Sequence, residues 1–187
     1  NDVPAKSVEE LVSLIKSGDV TIGNQEGVFI DIAAFPGPAY GAGQLWGEGV
    51  LGKDMKAMGV DMVSMANNHA TDFGGDGLIE AQRLLDEAGM VHAGGGKTME
   101  EARRAAILAT PKGKIALVST ASTFKTYATA NDAFGETKAR PGIITVGNSG
   151  IGSHTHISSV ALFYAGGVKA NVLFFDRKPA QETPWTK

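Results

Sequence analysis

The sequence predicts a layered α/β domain containing a mixed sheet. Three observations carry that expectation: a strand, loop and helix in succession from Val60 to Gly89, a hairpin pattern from Ala106 to Ser119, and helix-start signals at Ser7 and Thr98.

The elements follow in order. Ser7 and Glu10 have capping-box spacing, and Val8, Leu11, Val12 and Ile15 share one helical face, so a helix is expected that Gly18-Asp19 ends. Val20-Thr21-Ile22 then reads as a short buried strand running into the polar turn Gly23-Asn24-Gln25-Glu26-Gly27. From Phe35 to Gly52 neither period is present and Gly and Pro are frequent, which is the pattern of a long functional loop. A short helix around Lys53 to Met58 precedes the strand Val60 to Met65. From Gly77 the positions Leu78, Ala81, Leu84, Leu85 and Ala88 recur at helical spacing and stop at Gly89, a helix-ending residue. Met90 to Ala93 is a further short strand, and Thr98 with Glu101 opens another helix. Ala106 to Ala109 and Ile115 to Ser119 flank Pro111-Lys112-Gly113-Lys114 as the arms of a hairpin. Val160 to Tyr164 and Val172 to Phe175 are expected strands. Parallel β-α-β units therefore meet an antiparallel pair.

With 187 residues, 43% of them hydrophobic, the chain can bury a substantial core without staples. Lys and Arg number 17 against 20 Asp and Glu, and a net charge of −3 offers no field for a polyanion, so nucleic acid is not an expected partner. Cysteine is absent, which excludes disulfides, thiolate metal sites and a cysteine nucleophile. No stretch reaches the roughly 18 to 20 uninterrupted apolar residues of a membrane helix. Membrane attachment is expected only through a segment outside this chain.

In open α/β sheets, ligands gather at the carboxyl ends of strands, where loops converge. Two polar loops occupy such places: Asn24 and Glu26 after one strand, and Asn67, Asn68, His69 and Asp72 after another. The two strands are expected to be neighbours with their carboxyl ends on one edge, bringing Glu26 and His69 within about 12 Å, the reach of one metal and a water. Carboxylate, amide oxygen and imidazole together suit a divalent ion of the Mn, Mg, Fe or Zn type, with His69 a ligand or a proton donor. The alternative is that Asn67 and Asn68 supply only turn and cap hydrogen bonds.

Other motifs carry less. Gly94-Gly95-Gly96-Lys97-Thr98 fails as a phosphate loop, because Val91 stands where the pattern needs glycine. His154-Thr155-His156 has a workable metal-ligand spacing on a strand, though Ser and Gly around it suggest a loop. Arg140, before Pro141-Gly142, could clamp a phosphate or carboxylate of the substrate or simply be a solvated turn arginine. His92 is expected in the core.

These segments, Asp19 to Glu26, Gly59 to Gly74 with its Asn67-Asn68-His69-Ala70-Thr71-Asp72-Phe73-Gly74 stretch, Gly89 to Gly96 and Ala139 to Ile143, resemble the bacterial capsule-synthesis CapA family. That family is associated with poly-γ-glutamate and is related to calcineurin-like metallophosphoesterases. The resemblance covers about Val8 to Ile144. It implies a metallophosphoesterase-like layered sandwich with mixed β-sheets flanked by helices and a metal centre at the strand ends. By that likeness Asn24, Glu26 and Asn68 are metal ligands, His69 is the histidine that meets the scissile phosphate, Asp72 orients the loop, and Asn67 and Arg140 face substrate. The family opens with a strand ending in Gly-Asp and carries later His-containing motifs. The resemblance therefore implies a single incomplete CapA-like domain over residues 1–187, a fragment lacking the first strand and parts of the C-terminal half, or else a degenerate metal centre. The function it implies is metal-dependent hydrolase or transferase chemistry on an anionic polymer or phosphoester at the bacterial cell envelope, beside other capsule-synthesis proteins. The alternative is a non-catalytic module that holds an anionic polymer during synthesis or export.

Overall fold

The computed structural model describes residues 5–33, 43–122, 127–145, 158–165 and 170–173. In chain order the elements are α1 (Ala5–Ile15), β1 (Val20–Asn24), β2 (Val28–Phe29), β3 (Trp46–Gly47), α2 (Val50–Met58), β4 (Met62–Ser64), α3 (Gly74–Glu87) and β5 (Val91–Ala93). They continue with β6 (Gly95–Gly96), α4 (Met99–Ala102), β7 (Ala106–Thr110), β8 (Gly113–Ala121), β9 (Gly142–Ile143), β10 (Ser158–Ala165) and β11 (Ala170–Leu173). The expected His154-Thr155-His156 pair, residues 35–42 of the expected long loop, and the end of the last expected strand lie outside the described residues.

One sheet is parallel in the order β11-β1-β4-β5, and a second is antiparallel in the order β10-β8-β7. The hairpin thus does not extend the parallel sheet. The turn at Gly94 and the helix α4 carry the chain off the β5 edge, and β7 and β8 settle across the sheet's face. Between the sheets lies an apolar layer of Val20, Ile22, Met62 and Ala93 from one side and Ile115 and Leu117 from the other. Side chains alternate along a strand, so Val63 and Met65 turn the opposite way, into a second core with Leu78, Ala81 and Leu85 of α3. A parallel sheet covered on both faces needs apolar residues at successive positions, which is why Met62 and Val63 are both fully buried.

The helix ends obey local rules. Gly59, at φ +104°, takes the left-handed turn that closes α2, and its N–H donates to the Lys56 carbonyl. Thr98 caps α4 by accepting from the Glu101 N–H at 3.1 Å, while the Glu101 carboxylate accepts from the Lys97 N–H at 2.9 Å. At the first helix the capping expectation fails: α1 already begins at Ala5, so Ser7 sits inside it. The apolar face expected there is also mostly uncovered, for Ile15 is buried while Val8 and Leu11 are exposed. Among the described residues no helix is long and apolar enough to cross a membrane.

Candidate functional site

Strands β1 and β4 are parallel neighbours with Asn24 opposite Ser64, so their carboxyl ends lie on one edge. The polar loops that follow must then meet. The Gln25 N–H donates to the Ser64 carbonyl at 2.9 Å, which fixes the start of one loop against the end of the other strand. Asn67 completes the join. Its amide nitrogen donates to the Gln25 carbonyl at 2.7 Å, and its amide oxygen accepts from the His69 N–H at 3.0 Å. Asn67 is only 3% exposed, so this residue, expected to face substrate, holds the scaffold of the two loops.

From below, the second sheet supports the same loop. The Ser119 hydroxyl lies 2.6 Å from that of Ser64 and accepts from the Ala66 N–H at 3.1 Å. This closeness depends on Gly94, at φ +98°, because a side chain there would meet the Ser119 Oγ at 2.6 Å.

His69 and Asp72 pair within the second loop. Asp72 Oδ2 lies 2.7 Å from His69 Nδ1 and accepts from the Leu45 N–H at 2.8 Å. The carboxylate is fully buried, whereas the imidazole is about a quarter exposed. Exposed ion pairs contribute roughly 0 to 1 kcal/mol, but stripping the partner from a buried charge costs about 3 to 5 kcal/mol. The Asp72 carboxylate, shut away from solvent, therefore depends on its partners, His69 Nδ1 and the Leu45 N–H. An ionised carboxylate only accepts, so Nδ1 carries the hydrogen and Nε2 is left as the basic nitrogen. Nε2 in turn lies 3.9 Å from Glu26 Oε1, with both side chains open to solvent. That distance is inside the expected 12 Å limit, so the two loops bring Glu26 and His69 together.

The remaining expected residues are distributed unequally. Asn24 lies at the rim, its amide oxygen only weakly engaged by Asn67 at 3.5 Å. Asn68 follows in the loop, half-buried, and its amide makes no hydrogen bond to a described residue. Arg140 is turned to other work: its guanidinium donates to the Thr129 carbonyl at 2.8 and 3.2 Å, and it lines a separate small cleft beside Phe73 and Asp76. His92, expected in the core, instead sits half-buried on the edge strand β5 with Nε2 3.1 Å from Asp86. An edge strand has a neighbouring strand on one side only, so the ring stands at the sheet's rim, within reach of the Asp86 carboxylate on α3.

Three participants escaped the sequence: the Leu45 N–H, Ser119, and Gln25, whose carboxamide is buried with no hydrogen-bond partner among the described residues. Gln25 lay in plain view within the Asn24 to Glu26 turn, but nothing local distinguishes a buried glutamine from a solvated one.

As to metals, Glu26 offers a carboxylate, and Asn24 and Asn68 offer amide oxygens that the fold leaves largely uncommitted. Such oxygen donors fit a hard divalent cation. Among the described residues no group of three or more His, Cys, Asp or Glu is placed to hold one.

The sequence model of a family described as bacterial capsule synthesis protein PGA_cap matches residues 3–171. Two curated proteins of Sinorhizobium fredii, described as uncharacterized proteins y4sH and y4uA, are each 41% identical over 137 residues, which is 72% of this chain. The matched stretch is 30% of each relative's length, so the chain spans less than a third of those proteins.

Proposed function

The chain belongs to the bacterial capsule synthesis protein family, and from that premise we propose that it carries a metal-assisted hydrolase or transferase centre acting on an anionic polymer such as poly-γ-glutamate, or on a phosphoester. The proposed setting is the bacterial cell envelope, together with other capsule-synthesis proteins. The observation that carries the reading is the His69–Asp72 contact at 2.7 Å with Nε2 directed to the open, Glu26 side.

In this mechanism Asp72 holds the imidazole in one tautomer, and His69 Nε2 moves the proton at the attacking or departing oxygen. Glu26, 3.9 Å away, stabilises the imidazolium that forms. Glu26, Asn24 and Asn68 would hold a divalent cation of the Mn, Mg, Fe or Zn type, which when bound polarises a phosphoryl or acyl oxygen. Asn67 keeps the two loops in register throughout.

A second reading is a non-catalytic module that holds anionic polymer. It is favoured by the lack of a cluster of three acidic or histidine ligands among the described residues.

The deciding experiment compares wild type with His69→Ala on bis(4-nitrophenyl) phosphate and on poly-γ-glutamate, with Mn²⁺ supplied. A general acid or base contributes roughly 10²- to 10⁴-fold, so His69→Ala is expected to lose turnover by that factor with much less change in affinity. If wild type turns over neither substrate with any divalent metal, and both proteins bind the polymer equally, the holding module replaces the enzyme.

A further inference from the structure

The antiparallel sheet ends at β7, which among the described residues has a partner strand, β8, on one side only. The register between them runs unbroken from the Thr110–Gly113 pair that closes the Pro111-Lys112 turn. A two-residue turn is closed by a hydrogen-bonded pair, and such pairs alternate along an antiparallel ladder. Thr110, Leu108 and Ala106 therefore direct their backbone groups to β8. Ile107 and Ala109 point theirs outward, where no described residue answers them. Natural edge strands discourage further pairing with Lys, Pro or a bulge. None of these interrupts Ala106–Thr110, and the Ile107 side chain is 54% exposed. The charges and the proline stand just outside, at Arg103-Arg104 and Pro111-Lys112.

We propose that β7 is an interface strand that pairs antiparallel with β7 of a second copy of this chain across a two-fold axis. The outward backbone groups require that the occupant be a β-strand, and the sequence of β7 fits itself. With Leu108 on the axis, Ile107 of each copy lies opposite Ala109 of the other, and each such pair exchanges N–H and C=O in both directions, so that every outward group is answered. On the exposed face the bulky Ile107 then meets the small Ala109, and an apolar side chain left open in the single chain is covered. On the opposite face Leu108 meets its own copy, and Ala106 meets Thr110. No charge lies within the paired stretch. At its ends Arg104 of one copy falls nearest to Lys112 of the other, but each already has a carboxylate, Glu100 at 2.8 Å and Asp19 at 2.9 Å, so bare like charges do not oppose the approach. A two-fold contact is closed, because each chain offers one β7 edge and the pairing occupies it. The product is a dimer whose antiparallel sheets run on as one. A strand of another protein could satisfy the same backbone groups, but the match of Ile107 to Ala109 and the lack of charge favour β7 itself. The interface does not depend on the reaction proposed above.

The test is sedimentation equilibrium of the purified protein from micromolar to millimolar concentration, with amide hydrogen exchange followed on the same samples. A single strand pair is a small interface, so a dissociation constant in the micromolar range is expected. The Ile107 and Ala109 amides are expected to gain protection as the dimer forms. Ala109→Pro removes one outward N–H and leaves the ladder to β8 whole, since proline is tolerated where an edge N–H faces away from its neighbour. It is expected to weaken dimerisation by roughly tenfold or more, because each copy loses a hydrogen bond. Should that variant not fold, Ile107→Lys, at an exposed position, sets a charge within the paired stretch and is expected to weaken the dimer likewise. A protein that stays monomeric throughout overturns the proposal and leaves the edge to a strand of another protein. A dimer whose Ile107 and Ala109 amides exchange as fast as in the monomer overturns it too, as does one that the folded variants leave as tight as wild type.

Discussion

The imidazole of His69 and the carboxylate of Asp72 stand 2.7 Å apart, Nδ1 to Oδ2, with the aspartate shut away from solvent and the histidine open to it. The pair is three residues apart in sequence, so the loop brings its own orienting carboxylate. The Leu45 N–H, from a different loop, holds that carboxylate in turn.

Asp72→Asn is therefore predicted to damage chemistry more than binding. Nδ1 and the Leu45 N–H share Asp72 Oδ2, so the amide oxygen of Asn takes that place and keeps the ring's hydrogen bond, but the neutral group no longer stabilises the imidazolium that forms. In serine proteases the equivalent change costs about 10⁴-fold in turnover, and a loss of roughly 10²- to 10⁴-fold is expected here. Nitrogen-15 NMR of the His69 ring gives a readout independent of activity: an unchanged tautomer in Asp72→Ala, which removes the acceptor altogether, would refute the orienting role.

Glu26→Gln and Asn68→Ala are predicted to weaken Mn²⁺ binding by about tenfold or more, with thermal stability nearly unchanged, because both side chains lie at the rim and contribute little to the core. Calorimetric titration measures it. Equal affinity in wild type and both variants would mean that these residues are not ligands.

Asn67→Ala is predicted to act in the opposite way. It removes bonds to the Gln25 carbonyl and from the His69 N–H, and it leaves buried backbone groups unanswered. The expected loss is about 1 to 3 kcal/mol, measured by urea unfolding. A change within about 0.5 kcal/mol, the range of ordinary surface substitutions, would show that the loops are held together by other contacts.

On the far side of α3, Arg83 pairs with Glu80 and Glu87. Its hydrogen bond holds the Glu80 carboxyl below the usual carboxylate range. A depressed folded-state pKa stabilises above the unfolded value and is lost as pH falls through the folded one. The stability gap between wild type and Arg83→Ala is thus predicted to be constant near neutrality and to close as pH falls below about 4. Added salt should narrow it as well, since the arginine is exposed. A gap that widened on acidification, followed by thermal melts, would contradict this sign.

Much of the architecture was legible locally. The spacing of Leu78, Ala81 and Leu85 gives α3, the Thr98 and Glu101 pair gives the start of α4, and the two apolar runs around Gly113 give the β7–β8 hairpin. The two polar loops could be matched to strand ends, and their partnership followed from the rule that ligand sites gather at such ends. At Ser7 the same logic failed, because a capping pattern states only that a helix can begin there, and α1 continues back to Ala5.

By itself, then, the sequence determined the main helices and strands, though not the two-residue strands β2, β3, β6 and β9, and that Glu26, Asn67, Asn68, His69 and Asp72 stand on loops after strands, with Asn24 closing β1, since periodicity, caps and turns act over a few residues. Only the tertiary structure decided what each of those residues does. Asn67 meets the Gln25 carbonyl across 42 residues, Leu45 meets Asp72 across 27, and Ser64 meets Ser119 across 55. Those meetings depend on which strands pair and which sheet packs over which. Long-range packing, not local propensity, therefore turned Asn67 into a staple, directed Arg140 to a backbone carbonyl, and buried the Gln25 amide beside an apolar cavity.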